Sequence, residues 1–177
     1  MSSSVPEKPA LEGLEDKWAP VWENEGTYRF ERQKALTDGS DCVFSVDTPP
    51  PTASGSLHIG HVFSYTHMDL VTRFQRMRGK DIFYPMGWDD NGLPTERRVQ
   101  NYYGVRCDPT LPYDANFEPP QHGGEGKSTK AAAQLPISRR NFVELCETLT
   151  AEDEKQFEDL WRQLGLSVDW NLTYRTI

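Results

Sequence analysis

Two imidazoles flank a glycine in His58-Ile59-Gly60-His61, and a small-residue loop, Thr52-Ala53-Ser54-Gly55-Ser56, runs into them. Imidazole N–H groups donate hydrogen bonds to phosphoryl oxygens. A helix beginning at this point would add free backbone N–H groups and positive partial charge. Gly60 has no side chain, so a flat base or a ribose could approach the backbone there. Nucleotide binding is therefore the chemistry this tetrad suits. A zinc site, with His67 and Asp69 nearby, fits less well. It gives Gly60 no role, and no further Cys or His lies close in sequence. Two surface histidines at a helix start is the plain alternative. Gly123-Gly124-Glu125-Gly126-Lys127-Ser128 has the look of a phosphate loop, but position 121 is Gln where that pattern needs Gly, and no strand precedes it.

The elements that must hold the tetrad can be read around it. Cys42 to Val46 is β-branched and aromatic and predicts a buried strand, ended by Pro49-Pro50-Pro51. Ile59 to Arg78 carries a helical pattern, with Val62, Tyr65, Leu70, Phe74 and Met77 on or near one stripe and Gly79 as its stop. Asp81 to Pro85 predicts a second strand. The loop Met86 to Gly92 leads into a helix over 94–103, with Pro94 at a tolerated early position. Strand, helix, strand, helix is a βαβα unit with parallel strands and a right-handed crossover. Ligands of such sheets bind at the carboxyl ends of the strands, where the two unusual loops lie.

Upstream, Met1 to Pro9 reads as a disordered leader. Leu11, Leu14, Trp18, Val21 and Trp22 fall at helical spacing, with Pro20 expected to kink or split that helix and Gly26 to end it. Tyr28 to Phe30 is a candidate short strand and Lys34 to Ser40 a turn-rich link. Downstream, Arg106 to Pro136 is rich in Pro, Gly and Lys and predicts a long surface insertion. Ser138–Leu149 and Thr150–Leu164 predict two helices, the second capped by Thr150. The acids from Glu144 to Asp159 read as a solvated helix face. The expected division is residues 1–40 as leader and helix, 41–105 as the βαβα half of a nucleotide-binding domain, and 106–177 as insertion and helices.

Nineteen Lys and Arg against 27 Asp and Glu leave a net charge of −8, so sequence-independent nucleic-acid binding is disfavoured. No run approaches the ~20 apolar residues of a membrane helix, and the amino terminus lacks a secretory core. Three widely spaced cysteines, Cys42, Cys107 and Cys146, form no CxxC pair and fit a reducing cytosol. Without a secretory signal, the sequon at Asn171 is read as chance.

The segment Pro49 to His61 resembles the HIGH signature region of class I aminoacyl-tRNA synthetases. Arg73 to Gly79 resembles the helix end that follows it, and Gly87-Trp88-Asp89-Asp90-Asn91-Gly92-Leu93-Pro94-Thr95-Glu96 resembles the second loop of the Val/Ile/Leu branch. The Asp-Asp-Asn form, with Ser167-Val168-Asp169-Trp170, is most similar to the valine-specific members with an archaeal-like signature. The resemblance runs from about Leu11 to Ile177. It implies an α/β fold, the first half of a split Rossmann-like (HUP-type) parallel-sheet domain, with an amino-terminal helix and a carboxy-terminal helical segment. It also implies ATP-dependent activation of valine and its transfer to tRNA(Val), with Mg2+ accompanying ATP. His58 and His61 would hold the phosphates, and Gly60 would let the nucleotide pack. Pro50 and Thr52 would lie against valine, and Asp89 would pair with its ammonium group, with Asp90 as rival or as a cap of the next turn.

The family's second signature, KMSKS, is absent from these residues, as are the regions that edit and that bind the anticodon. The expectation is an amino-terminal piece, inactive alone, of an enzyme that is monomeric, cytoplasmic and membrane-free. Two alternatives stay open. One is a small HxGH nucleotidyltransferase, although its Ser/Thr-rich second phosphate motif is missing. The other is a non-catalytic synthetase-like interaction fragment.

Overall fold

The computed structural model describes residues 13–52, 57–123 and 133–177. The leader Met1–Pro9, the loop residues 53–56 and all but Gly123 of the phosphate-loop-like segment lie outside them.

Helix α1 (Leu14–Glu25) and helix α2 (Arg32–Asp38) precede a 3-10 turn at Ser40–Cys42 and strand β1 (Val43–Ser45). Helix α3 (Ile59–Met77) then leads to β2 (Asp81–Phe83), β3 (Gly87–Trp88) and α4 (Leu93–Tyr103). Strands β4 (Val105–Cys107) and β5 (Leu135–Ile137), the long helix α5 (Arg139–Gln163) and β6 (Tyr174–Arg175) complete the order.

Among the described residues all strand pairings are parallel. Strand β1 pairs with β2 in the register Val43↔Asp81 to Ser45↔Phe83, and Val46 N–H donates to Phe83 O at 2.9 Å. The same two segments meet again past a gap, where Thr52 bridges Asp89 and Asp89 N–H donates to Pro51 O at 2.9 Å. On its other edge the segment 84–88 pairs with the chain's last residues, through Asp169 N–H to Tyr84 O, Tyr174 N–H to Met86 O and Thr176 N–H to Trp88 O. Residues 81–89 therefore form a central extended segment, flanked by 43–52 on one side and 169–176 on the other. Successive side chains of an extended segment alternate faces. Accordingly Ile82, Tyr84, Met86 and Trp88 all enter one core, with Tyr65 of α3, Phe157 and Trp161 of α5, Leu166 and Val168. A second core gathers Val99, Tyr103, Val105, Ile137, Phe142 and Leu149, where α4 and α5 meet β4 and β5.

Several expectations are corrected. Pro20 does not split α1, which is continuous through it to Gly26. Tyr28–Phe30 is not a strand, and Lys34–Ser40 is not a link but mostly the helix α2. The insertion is bounded by β4 and β5, so its ends pair with each other. One helix, α5, replaces the two expected. Its cap is Ser138, whose hydroxyl accepts from Asn141 N–H at 3.2 Å, while Thr150 sits mid-helix and donates to Cys146 O at 2.9 Å. A Thr hydroxyl bonded back along its own helix satisfies itself without ending the helix.

The α3 stripe also differs. Leu70, Phe74 and Met77 are exposed, whereas Tyr65, Asp69 and Thr72 are buried. That face is chosen by polar bonds: Asp69 accepts from Ser167 N–H at 2.7 Å and from its hydroxyl at 2.5 Å, and Arg73 pairs with Asp69 at 2.6 Å while also donating to Gly165 O. The acids of α5 are not uniformly solvated, since Asp153 and Glu154 are buried.

Candidate functional site

His58 caps α3 in an extended conformation. Its Nδ1 accepts from Gly60 N–H at 3.2 Å, and His58 N–H donates to His61 Nδ1 at 3.4 Å. A neutral imidazole has one donor and one acceptor nitrogen. Both Nδ1 atoms accept, so both protons sit on Nε2 and remain available as donors. The two rings stack with centroids 3.9 Å apart. Gly60 is required for this packing, because a Cβ there would stand 2.9 Å from His58 Nδ1. Burial, and then the neighbouring His58, hold the His61 imidazole below its ordinary range. His61 meets the edge of Phe157 at 5.5 Å, and Phe157 meets Trp88 at 6.4 Å, so the tetrad and the loop after β3 rest on one aromatic cluster.

At the carboxyl end of β3, Asp89 stands between two strands. Thr52 Oγ1 donates to its Oδ2 at 3.4 Å, and Thr176 Oγ1 donates to its Oδ1 at 3.1 Å. Pro50 and Pro51 precede Thr52 on the same strand end, and Tyr65 OH ties that end to α3 through Pro49 O at 2.8 Å. The structure thus brings Thr52 and Asp89 together at the carboxyl ends of adjacent strands, with Pro50 two residues before Thr52, and His58, Gly60 and His61 together at the start of α3. Gly87 admits the Tyr174 ring, which a Cβ would overlap at 2.2 Å.

Asp90 does not cap the following turn, since the N-cap of α4 is Gly92 and no side chain caps that helix. Its carboxyl is buried, and among the described residues its oxygens meet no hydrogen-bond donor. It faces Glu154 of α5. Burial first, and Glu154 second, push Asp90 up to about 7 against the opposing pull of Arg175. Two acceptor-only groups in contact are compatible only if a proton lies between them. Arg175 Nη2 pairs with Glu154 at 2.6 Å, and Arg98 grips Asp153 with two bonds of 2.7 and 2.9 Å.

Sequence reasoning missed Thr176, Glu154 and Arg175. Nothing in local pattern marks them, because their partners lie across the sheet. Among the described residues no group of three His, Cys, Asp or Glu side chains could hold a metal ion, and no helix is long and apolar enough to cross a membrane. Cys42, Cys107 and Cys146 are free thiols.

Parallel strands whose carboxyl ends carry an HxGH helix start and an acidic loop make this a Rossmann-like α/β arrangement. Residues 17–111 match the family described as tRNA synthetases class I (I, L, M and V), and the chain belongs to that family. Its relatives are more particular. Valine–tRNA ligase of Leifsonia xyli subsp. xyli is 75% identical over 98% of this chain and 20% of its own length. Valine–tRNA ligases of Bifidobacterium longum and Thermobifida fusca are each 64% identical, over 98% and 99% of this chain and 19% of theirs. The chain therefore spans about one fifth of the curated relatives it matches. The fold is shared with a leucyl enzyme solved as the ternary complex of Agrobacterium radiobacter K84 agnB2 LeuRS–tRNA–LeuAMS. That match has a TM-score of 0.61 and 22% identity, over 92% of this chain and 15% of that one.

Proposed function

We propose that this chain supplies the HxGH half of the adenylate-forming site of a cytoplasmic valine–tRNA ligase. The observation that carries the reading is the meeting of Thr52 and Asp89 across adjacent strand ends, on the aromatic cluster that also supports His61. Valine's ammonium pairs with Asp89, a charge-assisted bond of the stronger kind. Pro50 and Thr52 wall the side-chain end. The valine carboxylate attacks the α-phosphate of ATP, pyrophosphate leaves, and the terminal adenosine of tRNA(Val) later takes the valyl group.

His58 and His61 donate Nε2–H to phosphate oxygens whose charge grows in the transition state, and the positive end of the α3 dipole adds to that field. Gly60 keeps the approach open. Mg2+ takes oxygen ligands. Mg2+ accompanying ATP would supply positive charge at the phosphates; among the described residues no group of three His, Cys, Asp or Glu side chains could hold it.

The test is a chimera in which this chain replaces the matching segment of the Leifsonia xyli ligase. Wild type is expected to show valine-dependent ATP–pyrophosphate exchange. Asp89→Asn should raise KM for valine by roughly ten- to a hundredfold, the worth of one hydrogen bond to a charged group, with KM for ATP within about twofold. If Asp90→Asn does this and Asp89→Asn does not, the assignment is off by one. If neither does, the reading fails.

A further inference from the structure

The Asp89 carboxylate is a ligand group on a soft torsion. The terminal dihedral of Asp is broad, so an unsupported carboxylate samples a wide arc and loses that freedom on binding. Here both oxygens are held, one from each flanking strand. Thr176 is the more heavily engaged of the two supports. Its hydroxyl donates to Asp89 Oδ1 and accepts from Asp90 N–H, both at 3.1 Å. Its N–H donates to Trp88 O at 3.1 Å, and its carbonyl accepts from Asn91 Nδ2 at 3.1 Å. One residue thereby bonds four consecutive residues of the loop, 88 to 91.

Its own position is fixed by its neighbour. Arg175 pairs with Glu154, 9% exposed, and Glu154 in turn meets the buried Asp90. The strand end 174–176 is anchored to α5 on one side and to the loop on the other. A Thr hydroxyl has one proton and spends it on Asp89, which leaves the carboxylate's remaining lone pairs for a ligand.

We propose that Thr176 is the positioning residue of the amino-group site, setting the orientation in which Asp89 meets the ammonium of the amino-acid substrate. The proposal rests on the reading of Asp89 given above. It assigns Thr176 no contact with substrate; Thr176 acts through Asp89.

The experiment uses the same chimera. Thr176→Val keeps the shape and both backbone bonds and removes the hydroxyl. It should raise KM for valine by about tenfold, with KM for ATP and the turnover number within about twofold. Thr176→Ser should return the valine KM toward the wild-type value. In the double variant with Asp89→Asn, Thr176→Val should add little, because its effect runs through the carboxylate already removed. An unchanged valine KM in Thr176→Val, beside a raised one in Asp89→Asn, overturns the proposal and leaves the functional reading intact. Equal losses in valine KM, ATP KM and turnover in both Val and Ser variants would make the role structural and also overturn it. If Asp89→Asn itself changes nothing, the functional reading has failed, and the proposal with it.

Discussion

At the start of α3, the bonds that fix His58 and His61 span two and three residues of sequence. The bonds that fix Asp89 span 37 and 87. The first group, an exposed His58 and a half-buried His61, folds its own local motif; the second is assembled only when three strands meet. A phosphate can be held by a motif that forms wherever a helix begins. An amino group needs a carboxylate aimed in one direction, and the aim of Asp89, proposed above as that carboxylate, comes from the tertiary fold. The two regions should therefore respond differently to substitution: the tetrad in rate with little loss of stability, the loop and its anchors in stability and in amino-acid affinity together.

The largest expected effect lies among the anchors. Arg98→Ala removes the partner of Asp153, which is 3% exposed, and leaves a buried carboxylate unpaired. Breaking such a pair typically costs about 3–5 kcal/mol, and the denaturant midpoint of the protein should fall accordingly. His58→Ala removes a helix cap with only local partners, and about 1 kcal/mol should suffice. Equal losses from the two would erase the contrast.

A pH series sharpens it. Folded Asp90 keeps a proton up to about 7 that the unfolded chain releases near its ordinary value of 3.8. Stability must then decline as pH rises from the unfolded value toward 7, and level off above. In Asp90→Asn that component of the slope should vanish, as thermal melts between pH 4 and 8 would read. An identical slope in wild type and variant would mean that Asp90 and Glu154 share no proton.

The smallest effect belongs to Gly60→Ala. Its Cβ displaces the His58 ring, so adenylate formation should slow severalfold while the melt shifts by no more than about 1 °C, since the clash is with an exposed side chain. A fall in the melt comparable to that of Arg98→Ala would show the tetrad to be part of the core.

How much of this was legible follows the same division. The strands at 43–45 and 81–83, α3 with its stop at Gly79 and the helix after Gly92 follow from local composition, and so does the tetrad. The merging of two expected helices into α5 was not legible, because Thr150 satisfies its hydroxyl inside the helix. The buried face of α3 does not follow from residue type, because Asp69 and Thr72 are polar by type and buried by partner, Asp69 through Ser167 and Arg73, Thr72 through Met68 O. By type and spacing Glu154 is one more solvated acid; its partners Arg175 and Asp90 lie far off in sequence. Thr176 carries no motif at all; only its bonds to residues 88–91 mark it.

The central claim is that the two regions divide the work, phosphate charge at His58 and His61 and amino-acid affinity at Asp89. The direct measurement is pre-steady-state adenylate formation by the chimera at saturating ATP, titrated with valine. His61→Ala should lower the maximal rate by about 10²–10³-fold, the usual worth of one such donor, and leave the half-saturating valine concentration unchanged. Asp89→Asn should shift that concentration by roughly ten- to a hundredfold with a far smaller loss of maximal rate. The account is contradicted if both variants move the same parameter, or if His61→Ala forms adenylate at the wild-type rate.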